Sequence, residues 1–199
     1  MEIDERFKVT EQLDGKMLIN GKLRGSSCDQ WLESRCPATQ ELIGKVPNAS
    51  AEEMTEAVTA AKEAFRAWKK TTQKQRVALI EEIAQRLEAR ADGFAKIEAL
   101  DTGNTVGPMM NDVHKAVERM RFYCGLAYEL KGTTVPSTPE NIHLTLREPY
   151  GVVGRIIPFN HPIGFAASRI APALIAGNTI VVKPSEQAPL SASLLAEIC

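Results

Sequence analysis

Residues 149–190 read PYGVVGRIIPFNHPIGFAASRIAPALIAGNTIVVKPSEQAPL, and this stretch decides the fold. Its two apolar segments, 151–157 and 179–182, predict strands covered on both faces, as in a parallel sheet. The residues between them predict a helix that begins at Pro162 and ends before Gly177, with a kink or split at Pro172. The pattern is therefore strand, helix, strand, which predicts an α/β fold with a parallel sheet and flanking helices.

Polar side chains follow each predicted strand. Asn160 comes after the first strand, and Lys183, Ser185 and Glu186 come after the second. Ligands of open parallel sheets bind just beyond the carboxyl ends of the strands, so both corners are candidate binding positions. An asparagine amide can donate to a developing oxyanion, although the alternative that Asn160 only satisfies its own turn stays open.

The second corner has the chemistry of a ribose site. A glutamate supplies acceptors for vicinal hydroxyls, and a lysine supplies a point charge with three donors. A carboxylate at this position repels a 2′-phosphate, so Glu186 favours NAD over NADP. The alternative is a solvated loop before a helix, and the sequence does not decide between them. The glycine fingerprint G-x-G-x-x-G is absent.

His161 is a candidate acid or base because it adjoins Asn160. No carboxylate lies near it in the sequence to orient it, and a histidine between asparagine and proline is typical of a packing or turn residue. We therefore interpret His161 as structural. The four cysteines form no C-x-x-C pair and no zinc pattern, so we expect free thiols, no metal site, and no nucleophile among them.

Composition limits the class of protein. The chain has 199 residues, of which 44% are hydrophobic and 25% charged, with a formal net charge of -1. These values are typical of a packed soluble protein and give no basic surface for nucleic acid. No apolar run approaches the ~20 residues of a membrane span. The polar, acidic start MEIDERFKVTEQ lacks the apolar stretch of a signal peptide, so we expect a cytoplasmic protein.

The first 132 residues predict short strands followed by helices. Asn20-Gly21 predicts a hairpin, with further strands at 31–33 and 42–46. Capping boxes at Ser50 and Thr72 predict two helix starts, and Asp92-Gly93 predicts a helix break. A third helix is expected from about 108 to 130. Residues 133–136 and 142–147 then predict a hairpin with one buried face, which packs either on its own domain or on another subunit.

These segments together resemble the aldehyde dehydrogenase superfamily. The resemblance rests on residues 148–192 and on four upstream segments in the family's order: CPATQELIGKVPNAS, FRAW, ALDTG and LTLREP. It covers residues 17–199. A block of this length is far more specific than a short motif. It implies a Rossmann-like NAD(P) domain, a catalytic domain and an oligomerisation hairpin.

The resemblance also implies an activity and roles for residues. The family oxidises aldehydes to carboxylic acids through a cysteine thiohemiacetal, passes hydride to NAD(P)+, and forms homodimers or homotetramers. Asn160 matches the asparagine that steadies the thiohemiacetal oxyanion. The remaining matches are to the cofactor site: Ile157, Pro158 and Phe159 along the cofactor, and Lys183, Ser185 and Glu186 at the adenosine ribose. Phe159 replaces the tryptophan of many relatives.

The resemblance divides the chain into three parts. Residues 1–132 match the N-terminal strands and helices of the NAD-binding domain, 133–148 the oligomerisation hairpin, and 149–199 the first part of the cofactor core. The family's catalytic cysteine and general-base glutamate lie beyond residue 199. We therefore expect an N-terminal portion that is inactive alone. The alternatives are a non-catalytic short form that joins full-length subunits, or a partial nucleotide-binding module.

Overall fold

A computed structural model describes residues 12–199 of the chain. Residues 1–11 lie outside the described part, and with them nearly all of the segment used for the signal-peptide expectation. The described strands are β1 Leu13–Asp14, β2 Met17–Ile19, β3 Lys22–Arg24, β4 Trp31–Arg35, β5 Leu42–Pro47, β6 Thr134–Thr138, β7 Asn141–Leu144, β8 Val152–Ile156 and β9 Thr179–Lys183. The helices are α1 Ala51–Trp68, α2 Gln73–Ala89, α3 Ala91–Thr102, α4 Val106–Leu126, α5 Pro162–Ile175 and α6 Leu190–Ile198.

The short N-terminal strands form as the sequence predicts. β2 and β3 pair antiparallel across Asn20 and Gly21, whose φ angles of 52° and 71° are those of a tight hairpin turn. β5 lies between β1, which is parallel to it, and β4, which is antiparallel. The predicted strands at 31–33 and 42–46 are therefore confirmed.

Both predicted capping boxes are present. Ser50 Oγ accepts from the Glu53 amide while Glu53 accepts from the Ser50 amide, and Thr72 and Gln75 form the same pair at α2. Glu53 is buried and also accepts from the Ser27 amide at 2.7 Å. The amides of Ser27 and Ser50 are the main reason that the pKa of Glu53 falls to about 2. The start of α1 is thus tied to the loop before β4.

The predicted break at Asp92-Gly93 is wrong by two residues. α2 ends at Ala89 and α3 begins at Ala91, so the break lies at Arg90, with φ -109° and ψ 15°. Asp92 and Gly93 belong to the first turn of α3, where an acidic side chain is favourable to the helix dipole. The third helix begins two residues before its predicted start, at Val106, and continues as a 3₁₀ turn to Glu129.

The decisive stretch forms a β-α-β unit. β8 and β9 are parallel and pair from Val152 with Thr179 to Ile156 with Lys183, and α5 connects them. α5 runs unbroken through Pro172, so it is not split there. α5 packs mainly against α4, and the core that surrounds it is built from α2, α3, α4 and α6. The predicted α/β arrangement is confirmed at this level.

The expectation that β8 is covered on both faces is wrong for the described chain. Side chains alternate along a strand, so Ile157 faces the core while Ile156 faces the other side. Ile157 is 3% exposed and Ile156 is 75% exposed. α1 covers only the start of this second face, where Thr179 Oγ1 donates to the Ala61 carbonyl at 2.8 Å. The apolar run therefore predicted the strand but not its surroundings.

A buried arginine joins the start of α2 to the end of α5. Arg76 is 8% exposed, and its guanidinium donates to the carbonyls of Ile175, Lys69 and Thr71 at 3.1, 3.0 and 3.0 Å. The next turn contains Gly177 at φ +88°, where an added Cβ would lie 2.6 Å from Arg76 Nη1. Glycine is therefore required there both by its backbone angle and by the guanidinium.

The hairpin of β6 and β7 is exposed on both faces. Ile142, Leu144 and Leu146 are 68%, 67% and 81% exposed. Val135 is the register partner of His143, so it lies on the other face, where it is 54% exposed. The predicted buried face is therefore not buried by residues 12–199, and a group outside the described residues would have to cover it. A contiguous exposed apolar surface of this kind is typical of a protein contact.

We expect the hairpin to drive self-association of the chain. The double variant I142K/L144K places charges on the apolar face and should weaken association at least ~10-fold, because a buried lysine without a partner is unfavourable. The matched control is H143K, on the opposite face of the same strand. Sedimentation velocity over a concentration series measures the effect. A monodisperse wild-type monomer, or equal losses in both variants, would contradict the prediction.

Within residues 12–199, no helix combines the length and the hydropathy that a membrane span requires.

Candidate functional site

The two polar corners begin side by side at one edge of the sheet. Ile156 is the register partner of Lys183, and the Ile157 amide donates to the Lys183 carbonyl at 3.0 Å. The chain leaves the sheet after each of these residues. The turn that contains Asn160 and the turn that contains Glu186 therefore start from adjacent positions, at the carboxyl ends of parallel strands.

Asn160 is exposed at the first corner, as are Pro158 and Phe159. Among the residues that the structure describes, the Asn160 side chain has no hydrogen-bond partner. The alternative in which this side chain satisfies its own turn is therefore not seen. Its two amide protons are available to a group outside the chain, which is the condition that a donor to an oxyanion must meet.

The two isoleucines before this corner differ in what they can contact. The Ile157 side chain lies in the core, so only its backbone is available to a ligand. Ile156 shares the open face with Lys183, because partners in a parallel register point to the same side. Sequence reasoning selected Ile157 and missed Ile156. Both residues are apolar, so the sequence did not show which of them points to the core and which to the open face.

The second corner holds a lysine and a glutamate close together. Lys183 Nζ lies 3.4 Å from Glu186 Oε2 and 3.1 Å from the Pro184 carbonyl. The pKa of Glu186 is lowered, first by its own backbone amide and then by Lys183. Glu186 is therefore an ionised acceptor at neutral pH. Ser185 Oγ accepts from the Gln187 amide at 3.2 Å, which shapes the turn between them.

His161 has a carboxylate partner that the sequence did not reveal. His161 Nδ1 lies 2.5 Å from Asp112 Oδ2, on a helix 49 positions earlier in the chain. The Asp112 side chain is 15% exposed and that of His161 is 45% exposed. The His161 ring also packs edge-on against Phe165. The interpretation of His161 as a packing residue is therefore incomplete, because the ring is also held by a charged group.

Two buried carboxylates on α3 lie behind the corners. Glu98 Oε1 accepts from the Ile163 amide and from Ser191 Oγ, each at 2.6 Å, and Asp101 Oδ2 accepts from the Leu190 amide at 3.0 Å. Glu98 is fully buried and Asp101 is 3% exposed. Burial raises the pKa of Glu98 to about 7 and that of Asp101 to about 6. Sequence reasoning missed both.

The cysteines have the environments of ordinary thiols. Cys36 and Cys124 are buried, and burial raises the pKa of Cys124. Cys199 is exposed as a residue, yet desolvation of its thiol raises the pKa to about 11, so this thiol is protonated at neutral pH and is a poor nucleophile. In the described part of the chain, no three His, Cys, Asp or Glu side chains gather as metal ligands would.

The fold and the corners define an α/β protein with polar groups gathered at the carboxyl edge of parallel strands. The family model described as "Aldehyde dehydrogenase family" matches residues 23–199. The chain therefore belongs to the aldehyde dehydrogenase family, as its resemblance predicted.

Individual relatives agree with this assignment. Aldehyde dehydrogenase tropH of Talaromyces stipitatus is 38% identical over 185 residues, which are 92% of this chain and 36% of the relative. The solved NAD-dependent aldehyde dehydrogenase of Sinorhizobium meliloti has a TM-score of 0.93 at 31% identity, over 98% of this chain and 39% of its own. The NAD+ complex of a Bacillus cereus aldehyde dehydrogenase has a TM-score of 0.90 at 34% identity, over 99% and 41%.

The chain thus spans about two fifths of the length of the relatives that it matches. The expectation of an N-terminal portion is confirmed by this coverage.

Proposed function

We propose that residues 12–199 supply the cofactor edge and the oxyanion donor of an NAD(P)-dependent aldehyde dehydrogenase that oxidises an aldehyde to a carboxylic acid. The observation that carries this proposal is the register of β8 and β9, which starts the Asn160 corner beside the Lys183–Glu186 corner. A donor for an oxyanion and an acceptor pair for a ribose are both needed by a reaction that transfers hydride from a tetrahedral carbon to a nicotinamide.

The second corner suits the adenosine ribose of the cofactor. Glu186 is ionised and exposed, so it accepts from the vicinal hydroxyls while Lys183 donates beside it. Ile156 offers an exposed apolar surface on the same face, and Pro158 and Phe159 are exposed along the first corner. Ile157 contributes through its backbone. NAD(P)+ supplies the hydride acceptor when bound.

The preferred cofactor is NAD. The carboxylate of Glu186 would lie near a ribose 2′-phosphate, and the repulsion disfavours NADP. One solved relative is an NAD+ complex from Bacillus cereus, and another is an NADP-dependent glyceraldehyde-3-phosphate dehydrogenase from Bacillus halodurans complexed with NADP. Both cofactors therefore occur among proteins of this fold, and the charge at the second corner is the basis for our choice.

We propose that Asn160 acts at the carbonyl group of the aldehyde. Its free side-chain amide would donate to the oxygen of the aldehyde as that oxygen becomes negative, when the family's cysteine thiolate adds to the carbonyl carbon. The thiolate and the general base belong to the part of the enzyme after residue 199. His161 and Asp112 adjoin this donor and hold the start of α5.

The hairpin of residues 133–148 is the proposed subunit contact of a homodimer or homotetramer. Its support is the exposed apolar face of Ile142, Leu144 and Leu146, which nothing in residues 12–199 covers. We propose residues 1–132 as the supporting strands and helices of the NAD-binding domain and residues 149–199 as the first part of its cofactor core. The β-α-β unit and its corners lie within that last part.

The chain alone should give no aldehyde-dependent reduction of NAD, because it lacks the thiolate. Joined to the C-terminal part of the Bacillus cereus relative, it should give NADH production that can be followed at 340 nm. The N160A variant of this fusion should lose about 100- to 1000-fold in kcat, as expected for loss of one oxyanion donor.

The matched control is N141A, which removes an exposed asparagine at the start of β7. It should leave kcat unchanged. Two results would refute the proposal: turnover by the chain alone, or an N160A fusion as active as the N141A fusion.

A second candidate function is a non-catalytic partner that joins full-length subunits through the hairpin. The fully exposed apolar face of β7 favours it, because such a face is suited to an identical hairpin on another subunit. Mixing the chain with its full-length counterpart and measuring mixed oligomers by native mass spectrometry tests it. Absence of mixed oligomers would remove this candidate, and absence of heat on titration with NAD would remove the partial nucleotide-binding module.

A further inference from the structure

Glu98 makes contacts with the helices behind both corners. α5 follows the Asn160 corner and α6 follows the Lys183–Glu186 corner. One oxygen of Glu98, Oε1, accepts from the Ile163 amide in the first turn of α5 and from Ser191 Oγ in the first turn of α6. Both contacts are 2.6 Å long. A single carboxylate oxygen therefore joins the starts of the two helices.

The second oxygen of Glu98 has an unusual environment. Oε2 is buried and has no hydrogen-bond partner among the residues that the structure describes. A buried acceptor without a partner is unfavourable, and more so when it is charged. The contacts through Oε1 must therefore hold this side chain in place against the cost of burying Oε2.

We propose that Glu98 is a positioning residue that couples the Asn160 corner to the Lys183–Glu186 corner. A change at this one carboxyl should therefore alter the stability of both corners together. The inference rests on the proposed function for the meaning of the corners. The contacts themselves do not depend on that function.

The charged groups around Glu98 determine how its ionisation acts. Asp101 lies on the same helix, Asp112 faces it from α4, and Asp112 is itself paired with His161 at the start of α5. α6 contributes the uncharged Ser191. Burial is the largest effect on Glu98 and disfavours its ionised form, as do the two aspartates, while the hydrogen bonds from Ser191 and Ile163 favour that form. The net result raises the pKa of Glu98 to about 7. Ionisation near neutral pH should therefore make opening of both helix starts easier, because opening hydrates the carboxylate.

Hydrogen exchange measured by mass spectrometry, with the protein at micromolar concentration, tests this coupling between the starts of α5 and α6. The peptides to follow cover residues 161–166 and 190–195, between pH 5.5 and 8.5, with the intrinsic exchange rates removed. All chains carry D101N, whose amide oxygen can still accept from Leu190, so that Asp101 does not titrate. Protection of both peptides should fall at least ~10-fold as pH rises from 5.5, and both losses should level off together above about pH 7.

Two variants then test whether Glu98 couples the starts of both helices or acts on only one of them. E98Q should remove the step from both peptides, because glutamine does not ionise while its oxygen can still accept. S191A should remove the step from 190–195 and leave it in 161–166. D92N, an exposed site on the same helix, is the control and should leave both steps in place.

The inference is overturned if protection of the two peptides levels off at different pH values, if neither peptide loses protection, or if E98Q retains both losses. It is also overturned if H161Q removes the steps, because His161 would then be the titrating group. Failure of this test leaves the proposed function standing, since no cofactor or aldehyde enters the experiment. Conversely, a fusion enzyme whose kcat is unchanged by N160A would contradict the proposed function but not the coupling through Glu98.

Discussion

Replacing Arg76 with methionine should lower the unfolding free energy of the chain by about 2–3 kcal/mol. Methionine retains much of the volume but donates no hydrogen bond. The carbonyls of Ile175, Lys69 and Thr71 would then lose their donor where α1, α2 and α5 meet. The Ile175 contact is buried, so its carbonyl left without a partner carries a desolvation penalty of about 1–3 kcal/mol, whereas the part-buried carbonyls of Lys69 and Thr71 can be reached by water and lose less. Urea unfolding followed by circular dichroism measures the loss.

The control for this prediction lies on the same helix. Arg86 is half exposed and pairs with Glu82, one turn away. Such a pair contributes at most about 0.5 kcal/mol, so R86M should have little effect. R76K tests the geometry, because an ammonium cannot reach all three carbonyls as the guanidinium does. Equal losses in R76M and R86M would show that the buried network is not what holds this junction together.

The second large effect is a loss of stability as pH rises. The pKa of Glu98 is about 7 in the folded chain, whereas the ordinary pKa of a glutamate is 4.5. Between these two values the folded state holds a proton that the unfolded state has released. Stability therefore falls as pH rises through this window and is constant above it, a loss of about 3 kcal/mol from Glu98. Asp101, with its pKa of about 6, acts in the same direction.

The E98Q variant isolates the contribution of Glu98. Glutamine stays neutral, so E98Q should be about 3 kcal/mol more stable than wild type at pH 8 and nearly equal to it at pH 4.5. Urea midpoints taken at half-unit steps of pH provide the measurement. The D92N variant should follow the wild-type curve. A wild-type stability that rises between pH 5 and 7 relative to E98Q would have the wrong sign and would refute the assignment.

Local features of the fold were predictable because neighbouring residues encode them. The capping boxes at Ser50 and Thr72 and the hairpin at Asn20-Gly21 depend on contacts within a few positions, and all three are present. The break before α3 was misplaced because Asp92 and Gly93 are common both between helices and in a first helical turn. An Asp-Gly pair therefore indicates that a helix boundary is near, but it does not determine the residue at which the helix ends.

The candidate site was predictable only in part. Asn160, Lys183 and Glu186 follow strands directly, so the sequence placed them at the same edge of the sheet. The partners of this edge come from distant helices: Asp112 lies 49 positions from His161, and Glu98 lies 65 from Ile163. No pattern among neighbouring residues of the sequence predicts contacts between side chains so far apart in the chain. The exposed face of β8 was missed because an apolar run is compatible with either phase of the strand.

The contact between Glu98 and Ser191 also has a consequence for the order of assembly. The two residues are 93 positions apart, and α6 is the last helix of the chain. During synthesis α3 is made long before its serine partner, and its carboxylate stays hydrated until α6 docks, since burial without that partner is unfavourable. Closing so long a loop is slow. The contacts between α3 and α6 should therefore form late, and a nascent chain that stops before residue 190 should remain sensitive to proteases around α3.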